Sequence, residues 1–544
     1  MSSMIRATCN CVSEIALTSG KPYMDPFNEV ELDILVSGPG GEVRLPAFWG
    51  GGDGWRFRFA PPAPGKYALR SVCSDPSNDG LHDQRWTLEA APYQGVNPLL
   101  ARGRLRVSKD RRHFEHTDGT PFFWLGDTWW MGLCGRCRWP QDFQTLAADR
   151  KAKGFSVVQI VAGLYPDMPP FDARGTNEAG YPWQSPARPA GPHEFTQADF
   201  VRINPAYFDQ ADARMNWLVQ SGLVPCIVGC WAYFLPLMGV EKMKKHWRYL
   251  VARYAALPAV WCLAGEGAMP YYLSKTRDED VAVQKAGWTE LARYVRSIDP
   301  SKNLVTIHPT DFSRSQVADP SILDFEMLQT GHSGYDTITP TVKAITDAVA
   351  RTPVMPVING EVNYEGIMAT NRDDVQRIVF WNCILNGAKG HTYGANGIWQ
   401  MNTRREAYGL SPHGSGWGDT PWEDAYQLPG AAQVALGKRV LERFRWWLME
   451  PHPEWVGESV SEFDPLARCA AGVPGEFRVF YVFRSMSTGW TITVKGLEPG
   501  LMYKATWIDA SNGKEYPAGT ASGENWRPPG PPIIQGWLLL LEKQ

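Results

Sequence analysis

Residues 353–364 read PVMPVINGEVNY: an apolar run from Val354 to Ile358 ends in Asn359-Gly360 and then a single acid, Glu361. A short β-branched run bounded by Pro and Gly has the pattern of a buried strand. In a parallel α/β barrel, a polar residue at the C-terminal end of a strand points into the mouth where such folds carry out chemistry. Residues 259–267, AVWCLAGEG, have the same design, with an apolar run that ends in Glu266.

Around these two stretches, strand and helix patterns alternate. PFFWLGDTWW supplies a first strand ending at Asp127, entered through a hairpin signalled by Asp118-Gly119. FSVVQIVA, LVPCIVG, AVWCLAGE, NLVTIHP, LDFEMLQTGH, VMPVINGE and KGHTYG follow as strands two to eight. Helical spacing covers 141–153, a run from Pro205 to Gly222 with Tyr207, Ala211, Met215 and Leu218 on one face, then 241–256, 278–297, 342–350 and 374–386. Eight such alternations predict a (β/α)8 TIM barrel. Residues 165–204, rich in Pro and Gly, form a connection long enough to be functional, and in this fold it lies over the mouth.

The flanks read differently. Short alternating runs at 30–36, 55–59 and 67–73 are separated by GPGGE, GGGDG and PPAPGK turns, and FRVFYVF, WTITVKGL, YKATWID and GWLLLLE recur after Gly437. The expected organisation is an N-terminal β-sandwich over 1–103, the barrel over 104–437 and a C-terminal β-sandwich over 438–544.

Composition excludes several function classes. A net charge of −3 and a pI near 6.4 leave no electrostatic footprint for nucleic acid. The N-terminus lacks the apolar core of a secretory signal, and no run approaches the roughly 20 apolar residues of a membrane span. Ten Cys are scattered without the spacing of a disulfide framework. A cytoplasmic chain with no membrane partner is the expectation. Cys134-Gly-Arg-Cys137 is a lone C-x-x-C and reads as a loop; metalloprotease, P-loop and dinucleotide motifs are absent from the sequence. No metal or cofactor is expected.

Two acids at the ends of strands four and seven lie across a barrel mouth from one another. Glycosidic-bond cleavage needs that arrangement, because one carboxylic acid protonates the leaving oxygen and one carboxylate acts on the anomeric side. Glu266 and Glu361 occupy those places. Polar strand ends supply candidates for sugar contact: Asp127 after strand one, His308, Gln329 and His332 at strands five and six, His391 and Tyr393 at strand eight. Trp129, Trp130, Trp231 and Trp399 offer faces for stacking, and Tyr364 follows the seventh strand. Glu326, by its parity relative to Gln329, turns away from the mouth and is expected to be structural.

The runs PFFWLGDTWW, KGFSVVQIV, NPAYFDQADARMNWLVQSGL, WCLAGE, IHP, LDFEMLQTGH, NGEVNYE and GAKGHTYGANGIWQ together resemble the apiosidase-like glycoside hydrolases, related to family 140 of the glycoside hydrolases and built on a clan A type barrel. The resemblance spans roughly residues 105–435. It implies flanking β-sandwiches, a carbohydrate substrate and a retaining mechanism, with the acid/base after strand four at Glu266 and the nucleophile after strand seven at Glu361. Two positions depart from the family pattern: Ala264-Gly265-Glu266 stands where Gly-Gly-Asp is usual, and Glu326 where Asn is usual. A Glu reaches one methylene further than an Asp, so the resemblance implies the reaction type, not apiose as the sugar. The alternatives are a barrel that binds carbohydrate without hydrolysis, and a transglycosylase using the same residues.

Overall fold

The computed structural model describes residues 4–186, 194–457, 469–483, 492–533 and 535–544. Eight parallel strands form the central sheet: Trp124–Trp129, Val157–Val161, Val224–Val228, Val260–Cys262, Val305–Thr306, Glu326–Gln329, Val357–Glu361 and Gly390–Tyr393. Strand one pairs with both strand two and strand eight, so the sheet curls into a barrel that is nearly closed. Its strands are buried on both faces, which is why they read as near-continuous apolar runs.

The remaining seam lies between strands five and six. Ser313 spans it: its hydroxyl lies 2.7 and 2.9 Å from the carbonyls of Ile307 and Met327, which share its one proton, and it accepts from the Met327 N–H at 3.0 Å. The connection here also departs from the expected strand-helix alternation, for it holds only the 3-10 turns Ser313–Gln316 and Pro320–Ile322. The segment is rich in Ser and Asp, whose side chains compete for backbone N–H groups; Asp319 accepts from Ser321 N at 3.0 Å.

Elsewhere the helices follow the apolar spacing. Pro205–Gln220 starts on Asn204-Pro205 and buries Tyr207, Ala211, Met215 and Leu218 toward the sheet. Gln141–Lys153 stops at Gly154, whose left-handed φ of 100° lets its N–H reach the Arg150 and Lys151 carbonyls. Val240–Tyr254, Arg277–Ile298, Ile338–Ala350, Asp373–Leu385 and Pro429–Leu441 complete the outer ring. Among the described residues, no helix is long and apolar enough to cross a membrane.

At the N-terminus a five-stranded sheet faces a three-stranded one. They lean on the helix Val240–Tyr254 through Arg248 to Asp33 and through Tyr249 Oη, which donates to Trp49 O at 2.9 Å. A small sheet of Leu105–Val107, Phe114–His116 and Pro121–Phe122 plugs the barrel floor, with Phe114 packed on Trp124 and Phe325. Arg104 beside it donates to the Ala255 and Ala256 carbonyls that end a helix. At the C-terminus a six-stranded and a three-stranded sheet pack behind Asp373–Leu385, where Tyr481 stacks on Trp381. The start of the expected strand WTITVKGL lies outside the described residues; its remainder forms Thr493–Lys495.

Candidate active site

Glu361 closes strand seven and is almost fully buried. The preceding Gly360 lets strand six approach, since a Cβ there would collide with Met327. Two imidazoles face the Glu361 carboxylate. His332 Nε2 is 2.9 Å from Oε1, and His308 Nε2 is 3.2 Å from Oε2, the latter out of line for a full hydrogen bond. The opposite nitrogen of each ring accepts from a backbone N–H: His332 Nδ1 from Tyr364 at 3.1 Å and His308 Nδ1 from Glu266 at 3.4 Å. Those two contacts assign the proton of each ring to Nε2, which in His332 donates to Glu361 and in His308 lies beside it. Burial works against the charge on Glu361, yet His308 and His332 more than offset it and hold the carboxyl down at about 2.

Glu266 follows strand four with a positive φ of 48°. Gly265 before it carries no Cβ because one would collide with the Trp231 indole. Trp231 Nε1 donates to Glu266 Oε2 at 3.2 Å and Gln329 Nε2 to Oε1 at 3.0 Å. Burial first, and then the charge of Glu361, push Glu266 up to about 7; Gln329 and His308 oppose the shift, and Asp167 adds to it. Both carboxyls line one cavity of about 440 Å³ at the C-terminal end of the barrel.

Of the residues expected from the sequence, Trp130, Trp231, Gln329, His332, Tyr364 and Trp399 line this cavity. His308 stands behind Glu361 and braces it. Four others lie elsewhere, and the reason is strand parity. Asp127 and Trp129 point outward from strand one, toward the helix Gln141–Lys153. Asp127 is fully buried against Arg150 Nε at 2.5 Å and accepts from Trp129 Nε1 at 2.7 Å, while Trp129 packs edge-on to Phe143. Asp127 therefore contacts no sugar, and Trp129 presents no face to one. On strand eight, His391 packs edge-on against Phe380, and Tyr393 Oη donates to Glu365 rather than to Glu361. Glu326 pairs with Arg314 at 2.6 Å on the outer side. Cys134 and Cys137 are buried thiols, and burial raises Cys134 to about 11.

The cavity also holds residues that the strand-end argument missed, because they come from loops. Asp167 lies in the long connection after strand two, Tyr272 follows strand four, and His413 and Trp417 lie beyond strand eight. Burial pushes Asp167 up to about 6 against the relief given by Tyr272, His413 and Trp417. The only sequence signal for Asp167 is the length of its loop.

A barrel of this kind, with functional side chains gathered at one mouth, is a fold shared with solved glycoside hydrolases. More specifically, the family profile "Apiosidase-like, catalytic domain" matches residues 108–448, and the chain belongs to that family. A second profile, a domain of unknown function (DUF5060), matches residues 11–74 in the N-terminal sheets. No curated protein matches the chain in sequence. Among solved structures, a glycoside hydrolase family 5 protein from Bacteroides vulgatus ATCC 8482 aligns with a TM-score of 0.64 at 22% identity, over 82% of this chain and 95% of its own. Another chain from that organism, provisionally named a glycoside hydrolase, aligns with a TM-score of 0.73 at 16% identity, over 99% of this chain and 100% of its own. At such identities the likeness is one of fold.

Proposed function

We propose that the protein is a retaining glycoside hydrolase acting on a small oligosaccharide or glycoside, with Glu361 as nucleophile and Glu266 as acid/base. One observation carries the reading. Two strand-end carboxyls in a single cavity have their protonation driven apart, Glu361 to about 2 and Glu266 to about 7. Between those values Glu361 is a carboxylate and Glu266 keeps its proton, the division of labour that double displacement requires. Membership of the apiosidase-like family supports the same assignment.

In the first step a Glu361 oxygen attacks the anomeric carbon, the bond to the leaving oxygen breaks, and the Glu266 proton passes to that oxygen. Esterified Glu361 is neutral, so the charge that helped hold the proton on Glu266 disappears. Glu266 is then the stronger acid and, ionised, takes the proton of the incoming water as that water attacks the anomeric carbon, the bond to the Glu361 oxygen breaks and the carboxylate is restored. The indoles of Trp130, Trp231 and Trp399 supply apolar faces for the sugar ring.

The test is a panel of aryl glycosides, with the first-formed anomer of any product followed by NMR. Release of phenol with retained configuration is expected. Inversion would contradict double displacement, and a panel without turnover would contradict hydrolysis.

A further inference from the structure

Among the described residues, four buried polar atoms on side chains lining the cavity lack an aligned partner: Gln329 Oε1, Tyr364 Oη, Trp399 Nε1 and Trp417 Nε1. Buried polar groups are ordinarily satisfied by protein, water or ligand, so in a cavity wall such atoms are candidates for a ligand's hydrogen bonds. Three of the four sit at or near barrel strand ends. Trp417 does not: its indole N–H lies against the Asp167 carboxylate, near enough to favour the ionised acid but out of line for a full hydrogen bond.

Asp167 is held in an unusual way. It is 7% exposed and adopts a left-handed φ of 53°, a conformation unfavourable for a residue other than glycine. Its backbone N–H donates to Tyr272 Oη at 2.9 Å, and Tyr272 in turn stacks on His413. Immediately before it, the Pro166 carbonyl accepts from Tyr408 Oη at 2.8 Å. Two neighbouring loops therefore fix the backbone of this residue in the cavity wall. No Lys or Arg forms an ion pair with it among the described residues; the charged side chains that bear on it include Arg174, Glu266 and Glu361. An ionised carboxylate only accepts hydrogen bonds and an indole N–H only donates, whereas a hydroxyl does both.

We propose that Asp167 and Trp417 form a clamp that reads one hydroxyl of the bound sugar: the hydroxyl donates to the Asp167 carboxylate and accepts from Trp417 Nε1. This rests on the cavity being the glycosyl pocket. It makes the pair a specificity determinant, separate from the Glu266–Glu361 chemistry. A site built to bond a hydroxyl rejects the analogue lacking it, because the buried partners are left unpaired.

The experiment takes an aryl glycoside that the wild-type protein cleaves, together with its complete set of monodeoxy analogues, and measures kcat/KM for wild type, Asp167→Ala and Trp417→Phe. For one hydroxyl, wild type should lose about 100-fold or more on deoxygenation. Both variants should shrink that loss below about tenfold while leaving the losses at other positions unchanged. Trp417→Phe keeps the ring in the loop, so the test survives poor folding of the aspartate variant. Deoxygenation losses unchanged at every position in the variants would overturn the clamp. If wild type cleaves no glycoside, the hydrolase reading falls. The clamp is then judged by calorimetric titration of free monosaccharides and their deoxy counterparts, where the same position-specific loss is expected and the absence of any sugar binding overturns it.

Discussion

His332 donates through Nε2 to Glu361 Oε1 at 2.9 Å while its Nδ1 accepts from the Tyr364 N–H at 3.1 Å, so one ring ties the end of strand six to the end of strand seven. Removing it leaves the burial of Glu361 less opposed. His332→Ala should raise the Glu361 pKa above about 2 and move the acidic limb of kcat/KM upward in pH. A hydrogen bond to a charged group contributes about 1.5–3 kcal/mol, so kcat should drop by roughly 10- to 100-fold. An acidic limb that stays in place would remove His332 from this role.

Glu266 and Glu361 also make opposite contributions to stability. Glu266 has its folded pKa raised from 4.5 to about 7, so the folded state holds a proton that the unfolded state has lost. Stability then falls as pH rises across that interval, by about 3 kcal/mol at most. For Glu361, depressed to about 2, stability is present above 4.5 and is lost as pH falls toward 2. Glu266→Gln should therefore raise the melting temperature of the barrel at pH 8 and change it little at pH 4.5. Equal effects at both pH values would contradict a buried, proton-holding Glu266.

The eight strands and both acids were legible because each strand is an apolar run and each acid follows one directly. What the sequence concealed is which way a residue faces at a strand end. Asp127 lies within strand one and Trp130 just past its end, and Asp127 points to Arg150 while Trp130 enters the cavity. Tyr393 and His391 share the outward parity of Asp127, and the Asp127–Tyr393 register makes this visible only once strands one and eight are paired. Asp167 and Trp417 were illegible for another reason. Their positions come from contacts between distant loops, such as Tyr408 to Pro166, that have no periodic signature.

The outward orientation of Asp127 can be checked directly. Its carboxylate lies in a buried ion pair with Arg150, and removing one member of such a pair costs about 3–5 kcal/mol. Asp127→Ala should lower the denaturation midpoint markedly, while folded protein at low temperature keeps its KM. A raised KM with unchanged stability would return Asp127 to the sugar site.

In the proposed mechanism Glu361 attacks and Glu266 protonates. The most direct measurement is azide rescue on a dinitrophenyl glycoside, whose leaving group needs little protonation. In Glu266→Ala the first step should persist, and azide, needing no general base, should restore turnover and give a glycosyl azide of retained configuration. In Glu361→Ala any azide product should be inverted, since azide takes the place of the nucleophile. Loss of activity in both variants with no response to azide, or the reverse pairing of configurations, would contradict the account.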